Sequence, residues 1–290
     1  MKIIISIASL ILAVFIILFF TILMKATGVP ENNIENTIKF HKANKPIVLF
    51  LGDSITHGRV SFDYVNYIQN YSDSQMYSIV NEGINSRLTY QIIDLLGTVE
   101  ILSPSIVFIL VGTNDLKATI NEKEFNSYKN KWALKEQPTI ISFKNNYLTI
   151  VRKLKKIKNI KICLISIPNL GESLNSKPLL ASMEYSKHIK EISEIEKIDY
   201  LPFNELLIEK LKGSGKTDLK EYITNPIEMY TSILKYYLML KSWDNISEEN
   251  NYLYLTDGIH LNDKAGKILN SLVLAQLDKY SAKNTSKTNN

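Results

Sequence analysis

The chain is poor in the residues that most directly staple or metallate a fold. It has one cysteine, Cys163, in 290 residues, so an intrachain disulfide is impossible and a zinc site built from several thiolates is excluded. Its four histidines are His41, His57, His188 and His260. None stands in an H-E-x-x-H or comparable spacing, so no catalytic metal is expected. It also lacks a block of like charge: 34 Lys and Arg are interspersed with 29 Asp and Glu for a net charge of +5, and no basic arm for nucleic acid is present. With 45% hydrophobic and 22% charged residues, a collagen-like, coiled-coil or largely disordered chain is excluded, and enough apolar surface exists to bury a core.

What the sequence does have is one long apolar run. Residues 3–24, IIISIASLILAVFIILFFTILM, carry no charge and are bounded by Lys2 and Lys25. As a helix at about 1.5 Å per residue, the run is long enough to cross a hydrocarbon core of about 30 Å. A cleavable signal peptide has a shorter apolar region of about 7 to 15 residues and a small-residue cleavage site, whereas MKATGVPENN follows here. The expectation is therefore an uncleaved signal-anchor over 1–25 and a polar linker over 26–45. The domain itself is placed at 46–280, with insertions near 118–138 and 213–252 and a disordered tail over 281–290. Lys25, Lys39, Lys42 and Lys45 outnumber the charges before the span, so charge bias does not fix the orientation. The short tail before the run points to a domain outside the cytoplasmic membrane.

Beyond residue 45 the pattern alternates. IVLFL (47–51), YSIVN (77–81), SIVFILV (105–111), IKICLISI (160–167) and IDYL (198–201) are short apolar runs of the kind seen in strands covered on both faces. Between them, Phe143, Tyr147, Ile150, Val151 and Leu154 recur at helical spacing, and Ile92, Leu95 and Leu96 mark a second helix. Strands alternating with helices imply βαβ units and a parallel sheet, whose ligands bind at the carboxyl ends of the strands.

Those ends carry the polar residues of interest. Gly52-Asp53-Ser54-Ile55-Thr56-His57-Gly58 puts a serine at a strand-to-helix turn, where a nucleophile would lie beside helix N-terminal N–H groups. The same position suits a plain serine cap. Asn81-Glu82-Gly83-Ile84-Asn85 and Gly112-Thr113-Asn114-Asp115 offer a backbone N–H and an amide donor, though each is also an ordinary turn. Thr256-Asp257-Gly258-Ile259-His260 sets a carboxylate three residues before an imidazole, which it would orient if the loop bends.

Taken together and in order, GDSI with Ser54, NEGIN with Gly83, GTND with Asn114, and DGIH with Asp257 and His260 resemble the four blocks of the SGNH/GDSL hydrolase family. The resemblance covers about residues 46–280. It implies Ser54 as nucleophile, His260 as general base and Asp257 as the group that holds the imidazole. It further implies an oxyanion hole from the Ser54 and Gly83 N–H groups and the Asn114 side chain, and no cofactor. The second block departs from the family, which often continues with further glycines where this chain has Asn85, Ser86 and Arg87. Arg87 reads as an exposed structural arginine, with contact to an anionic substrate as the other reading.

Rival signals are weaker. His57 lies one helical turn beyond Ser54, so its ring would point away from the attacking oxygen, and no carboxylate supports it. His41 falls in the linker and His188 on a charged helix face. Gly213-Ser214-Gly215-Lys216-Thr217 imitates a phosphate-binding loop, but position 210 is lysine where the motif needs glycine. No G-x-S-x-G elbow occurs, which argues against a lipase-type α/β-hydrolase. The resulting expectation is a flavodoxin-like three-layer α/β/α sandwich with a five-stranded parallel sheet, preceded by one transmembrane helix. Its activity would be a serine esterase cleaving short acyl groups from an envelope glycan or lipid, with a membrane and a small ester as partners and no nucleic acid. An O-acyltransferase and a catalytically silent glycan-binding module are the alternatives. Residues 213–252 read either as a helix on the core or as a cap over the pocket.

Overall fold

The computed structural model describes residues 2–40, 45–71 and 75–288, with the side chains of 2–9, 11 and 283–288 outside the description. The chain opens with helices α1 (Lys2–Thr27) and α2 (Ile34–Phe40). Strand β1 (Ile47–Gly52), the one-turn helix α3 (Ser54–His57), α4 (Tyr64–Asn70), β2 (Ser78–Gly83), α5 (Thr89–Leu102) and β3 (Ile106–Leu110) follow. Next come α6 (Thr113–Ile120), α7 (Glu122–Trp132), α8 (Ile140–Leu154), β4 (Lys161–Ile165), α9 (Lys177–Glu196) and β5 (Asp199–Leu201). The chain closes with α10 (Phe203–Gly213), α11 (Pro226–Met239), α12 (Trp243–Glu249) and α13 (Asp263–Thr288).

The five strands form one parallel sheet in the order β2-β1-β3-β4-β5. Successive side chains alternate between its faces, so each apolar run feeds two cores. Leu49, Leu51, Val107, Ile109 and Leu164 pack beneath α5, α8 and α9. Val48, Phe50, Phe108, Leu110 and Ile165 pack with α4, α10 and α13 on the other side. This is the three-layer arrangement the sequence predicts, and Cys163 is free and buried within it.

Three stretches differ from their sequence reading or fall partly outside the description. The expected transmembrane helix over 3–24 coincides with α1, but the side chains of 2–9 and 11 lie outside the described set. Among the described residues, no helix is long and apolar enough to cross a membrane. The expected linker, 26–45, is in part packed on the domain. The Asn81 N–H donates to the Asn32 carbonyl at 2.9 Å, the Ile34 N–H donates to Glu82 Oε2 at 3.1 Å, and the Ile34 side chain is buried. The cause is the free edge of β2, whose unpaired backbone groups need a partner. Residues 41–44, with His41, lie outside the described residues. The expected disordered tail, 281–290, enters α13, and residues 289 and 290 are outside the description.

Candidate active site

Each element that carries a candidate residue is shaped for close approach. α3 begins at Ser54 directly after β1, capped by Asp53, whose carboxylate accepts the Ile55 N–H at 3.0 Å. It is closed by Gly58, the residue after its last, which adopts a φ of 77° that a side chain would strain. Gly83 at the end of β2 lies so close to this turn that a Cβ there would sit 2.1 Å from the His57 nitrogen.

The loop bearing Asp257 and His260 bends as the sequence required. Asp257 Oδ1 accepts the N–H groups of Ile259 and His260 at 3.1 and 2.9 Å, and the Thr256 N–H donates to the His260 carbonyl at 2.8 Å. This tight turn leaves Asp257 Oδ2 facing the imidazole, and His260 Nδ1–H donates to it at 2.7 Å. With its proton on Nδ1, the ring presents Nε2 as an acceptor, 2.9 Å from Ser54 Oγ. Burial would raise the Asp257 carboxyl, but the His260 ring and the two backbone donors outweigh it and hold the group below its ordinary value. A hydroxyl, a basic nitrogen and a carboxylate are thus arrayed in the geometry of nucleophilic catalysis.

The structure treats the three expected oxyanion donors differently. Asn114, at the second position of α6, has its amide fixed at both ends. Nδ2 donates to the Arg87 carbonyl at 3.1 Å, and Oδ1 accepts from the Tyr128 hydroxyl at 2.6 Å. One Nδ2 hydrogen is therefore left for the cavity that Asn114 lines. The Ser54 N–H has no protein partner among the described residues. The assignment of Gly83 needs correction: its N–H already donates to Asn81 Oδ1 at 2.9 Å, and Gly83 does not line the cavity. Its glycine is explained by the close contact with α3. Ser86 lines the cavity instead, held at a φ of 67° in a turn closed by the Arg87 N–H to the Ile84 carbonyl at 3.2 Å. A turn of this kind favours glycine at its third residue, so the positive φ was not legible from a serine.

Arg87 is corrected as well. It is structural but buried, pairing with Glu82 Oε1 at 3.0 Å and donating to the Glu82 carbonyl. The shared turn folds the arginine back on its own strand. The other described histidines, His57 and His188, make their contacts away from the Ser54 hydroxyl. His57 Nε2–H donates to the Gly28 carbonyl at 2.6 Å, and burial lowers its basicity. His188 Nδ1 contacts Glu191 Oε2 at 2.7 Å on an outer helix face. No group of His, Cys, Asp and Glu among the described residues is arranged to hold a metal.

Ser54, Asn114, Asp257 and His260 all line one cavity of about 660 Å³. Both insertions contribute to it. Tyr128, Lys131 and Trp132 come from 118–138, on α7, and Met229, Tyr230 and Ile233 from 213–252, on α11, while Lys117 lies just before the first of these stretches. Residues 213–252 therefore both pack on the molecule and wall the cavity, since α11 also meets α1 at Ile22, Ala26 and Ile233. Two supporting residues have no sequence signature. Tyr128 orients Asn114, and the buried Glu172 carboxylate accepts the N–H groups of Leu253, Tyr254 and Leu255 at 2.7 to 2.9 Å, fixing the approach to Asp257.

Comparison with known proteins agrees with this architecture. The model of the GDSL-like lipase/acylhydrolase family matches residues 50–225. Among solved structures, an acetyl xylan esterase is similar at 18% identity, covering 79% of this chain and 98% of its own, with a TM-score of 0.53. An acetylxylan esterase from Geobacillus stearothermophilus is 17% identical, covering 79% of this chain and 93% of its own, with a TM-score of 0.53. A lipase/acylhydrolase from Enterococcus faecalis is 17% identical over 81% of this chain and 96% of its own, with a TM-score of 0.53. At these identities the likeness speaks for the fold. No curated protein matches the chain.

Proposed function

Because this chain belongs to the GDSL-like lipase/acylhydrolase family and is an ester-cleaving serine hydrolase, we propose that it works through an acyl-enzyme on Ser54. The observation that carries this reading is the run of contacts from Ser54 Oγ through His260 to Asp257, at 2.9 and 2.7 Å, inside one cavity. His260 Nε2 takes the hydroxyl proton as Oγ attacks the ester carbonyl, and returns it to the departing alkoxide. A water activated by the same nitrogen then releases the acid. Asp257 keeps the imidazole in the required tautomer and stabilises the imidazolium. Charge on the carbonyl oxygen is met by the Ser54 N–H, the Asn114 amide and, in place of Gly83, the Ser86 N–H.

The substrates proposed are short acyl esters of an envelope glycan or lipid. Acetyl xylan esterases among the similar folds support an acetyl-sized group on a sugar, and a cavity of about 660 Å³ has room for the ester and part of its alcohol. Membrane attachment through residues 3–24, with the domain outside the cytoplasm, is part of the same proposal. Its support is the uncharged run itself and the exposure of Phe15, Ile16, Ile17, Leu18, Phe19 and Phe20 on consecutive positions of α1, which leaves no polar face.

The test is hydrolysis of p-nitrophenyl acetate by the full chain beside Ser54→Ala and His260→Ala. Each substitution is expected to lower kcat/KM by on the order of 10⁴-fold or more. Retention of wild-type turnover by Ser54→Ala would sink the acyl-enzyme.

A further inference from the structure

The end of α1 and the residue after it are bound to two segments beside the catalytic residues. Asn85 Nδ2 donates to the Ala26 carbonyl at 2.9 Å, and His57 Nε2–H donates to the Gly28 carbonyl at 2.6 Å. His57 ends the helix that Ser54 begins, and Asn85 precedes Ser86. Ala26 is fully buried, and Ile22 packs with Val60 and Ile233. Leu23, Ala26 and Thr27 then line the same cavity as Ser54 and His260. A tether that merely held the domain at a distance would need none of these contacts.

We propose that the last two turns of α1 are part of the active site, with Leu23 and Thr27 setting how long an acyl group the cavity accepts. The inference rests on the esterase reading. One wall of the cavity is apolar, where Ala26, Val60, Met229 and Ile233 pack as a cluster. Leu23 lines the cavity too, as do Lys117, Lys123 and Lys131. Methylenes of an acyl chain gain free energy only against the apolar wall, where they leave water without stripping a charge of its hydration. Leu23 is the half-buried side chain that α1 directs there, and Thr27 lies one turn further on the same helix face, so their bulk takes up space along that wall: trimming it admits a longer chain and adding to it excludes one. The Thr27 hydroxyl is turned back to the Leu23 carbonyl at 2.8 Å, which leaves its methyl group for the wall.

The experiment uses the full chain in detergent micelles with p-nitrophenyl acetate, butyrate and octanoate. Leu23→Ala is expected to raise the octanoate-to-acetate ratio of kcat/KM by about tenfold, the low end of what one methylene is worth in an apolar pocket. Thr27→Leu, which adds bulk to the same wall, should lower that ratio while acetate hydrolysis is kept. Leu18→Ala, on α1 but away from the cavity, should leave it unchanged. Unaltered ratios in both Leu23→Ala and Thr27→Leu, or an equal shift in Leu18→Ala, would overturn the inference while the esterase reading stands. Absence of any Ser54-dependent hydrolysis would instead overturn both.

Discussion

Tyr128 illustrates how much of this site depends on residues that touch no reacting atom. Its hydroxyl holds Asn114 Oδ1 at 2.6 Å, and that bond decides which end of the amide faces the cavity. Tyr128→Phe is expected to lower kcat about tenfold, less than the 10²- to 10³-fold lost when an oxyanion donor is removed outright. KM should stay within about twofold, because the amide is needed chiefly in the transition state. Steady-state kinetics on p-nitrophenyl acetate separates the two, and an effect confined to KM would contradict the positioning role. Asp115 gives the matching prediction for pH. Burial is the largest influence on it and pushes the carboxyl up to about 7, although the Thr89 N–H and hydroxyl both donate to it. Burial likewise pushes Asp53 up to about 6. Between the ordinary aspartate value of about 3.9 and these raised values, the folded chain holds protons that the unfolded chain has released. Their contribution is therefore fully present at low pH and lost as pH rises through 6 to 7. Asp115→Asn, which keeps a neutral partner for Thr89, should flatten the fall in Tm between pH 5 and pH 8, and an undiminished slope would count against it.

At the scale of elements, the contact between β2 and α3 shows why a residue type legible in the sequence can be assigned the wrong reason. Gly83 was noticeable as a glycine after a strand, but nothing in NEGIN says whether the glycine serves a ligand or a neighbouring backbone. The structure answers with a Cβ position 2.1 Å from the His57 nitrogen. Gly83→Ala keeps its N–H, so a pure hydrogen-bond donor would tolerate it. Here it should destabilise the fold by about 1–3 kcal/mol through overpacking, readable as a lower urea midpoint, and an unchanged midpoint would contradict the packing role. The strands were legible to within a residue or two because a run covered on both faces has no other way to satisfy its apolar side chains. The Asp257 loop was legible because Asp and His three apart are close in any tight turn. By contrast, α2 was hidden in the polar stretch ENNIENTIKF, where a single buried isoleucine and the open edge of β2 decide the packing. Glu172 and Tyr128 were hidden for a similar reason: each acts on a residue distant in sequence or on another helix through one polar atom, and a lone polar atom leaves no periodic trace.

For the whole molecule, the proposed chemistry and the proposed location meet at α1. Its end is hydrogen-bonded to the segments that carry Ser54 and Ser86, so the proposed anchor touches the proposed active site directly. If α1 lies in a bilayer with the domain outside, protease added to intact cells should degrade the domain without lysis, and digestion only after lysis would place it in the cytoplasm. The compact three-layer core supports all of this from behind, since both faces of the sheet are filled and its carboxyl edge is left to the cavity.

The central claim is that Ser54 is the nucleophile, and reaction with a fluorophosphonate tests it most directly. Intact mass after labelling of the full chain should rise by one phosphonyl group, peptide mapping should place it on Ser54, and both His260→Ala and Ser54→Ala should abolish it. A label on another residue, or none while ester hydrolysis proceeds, would contradict the account.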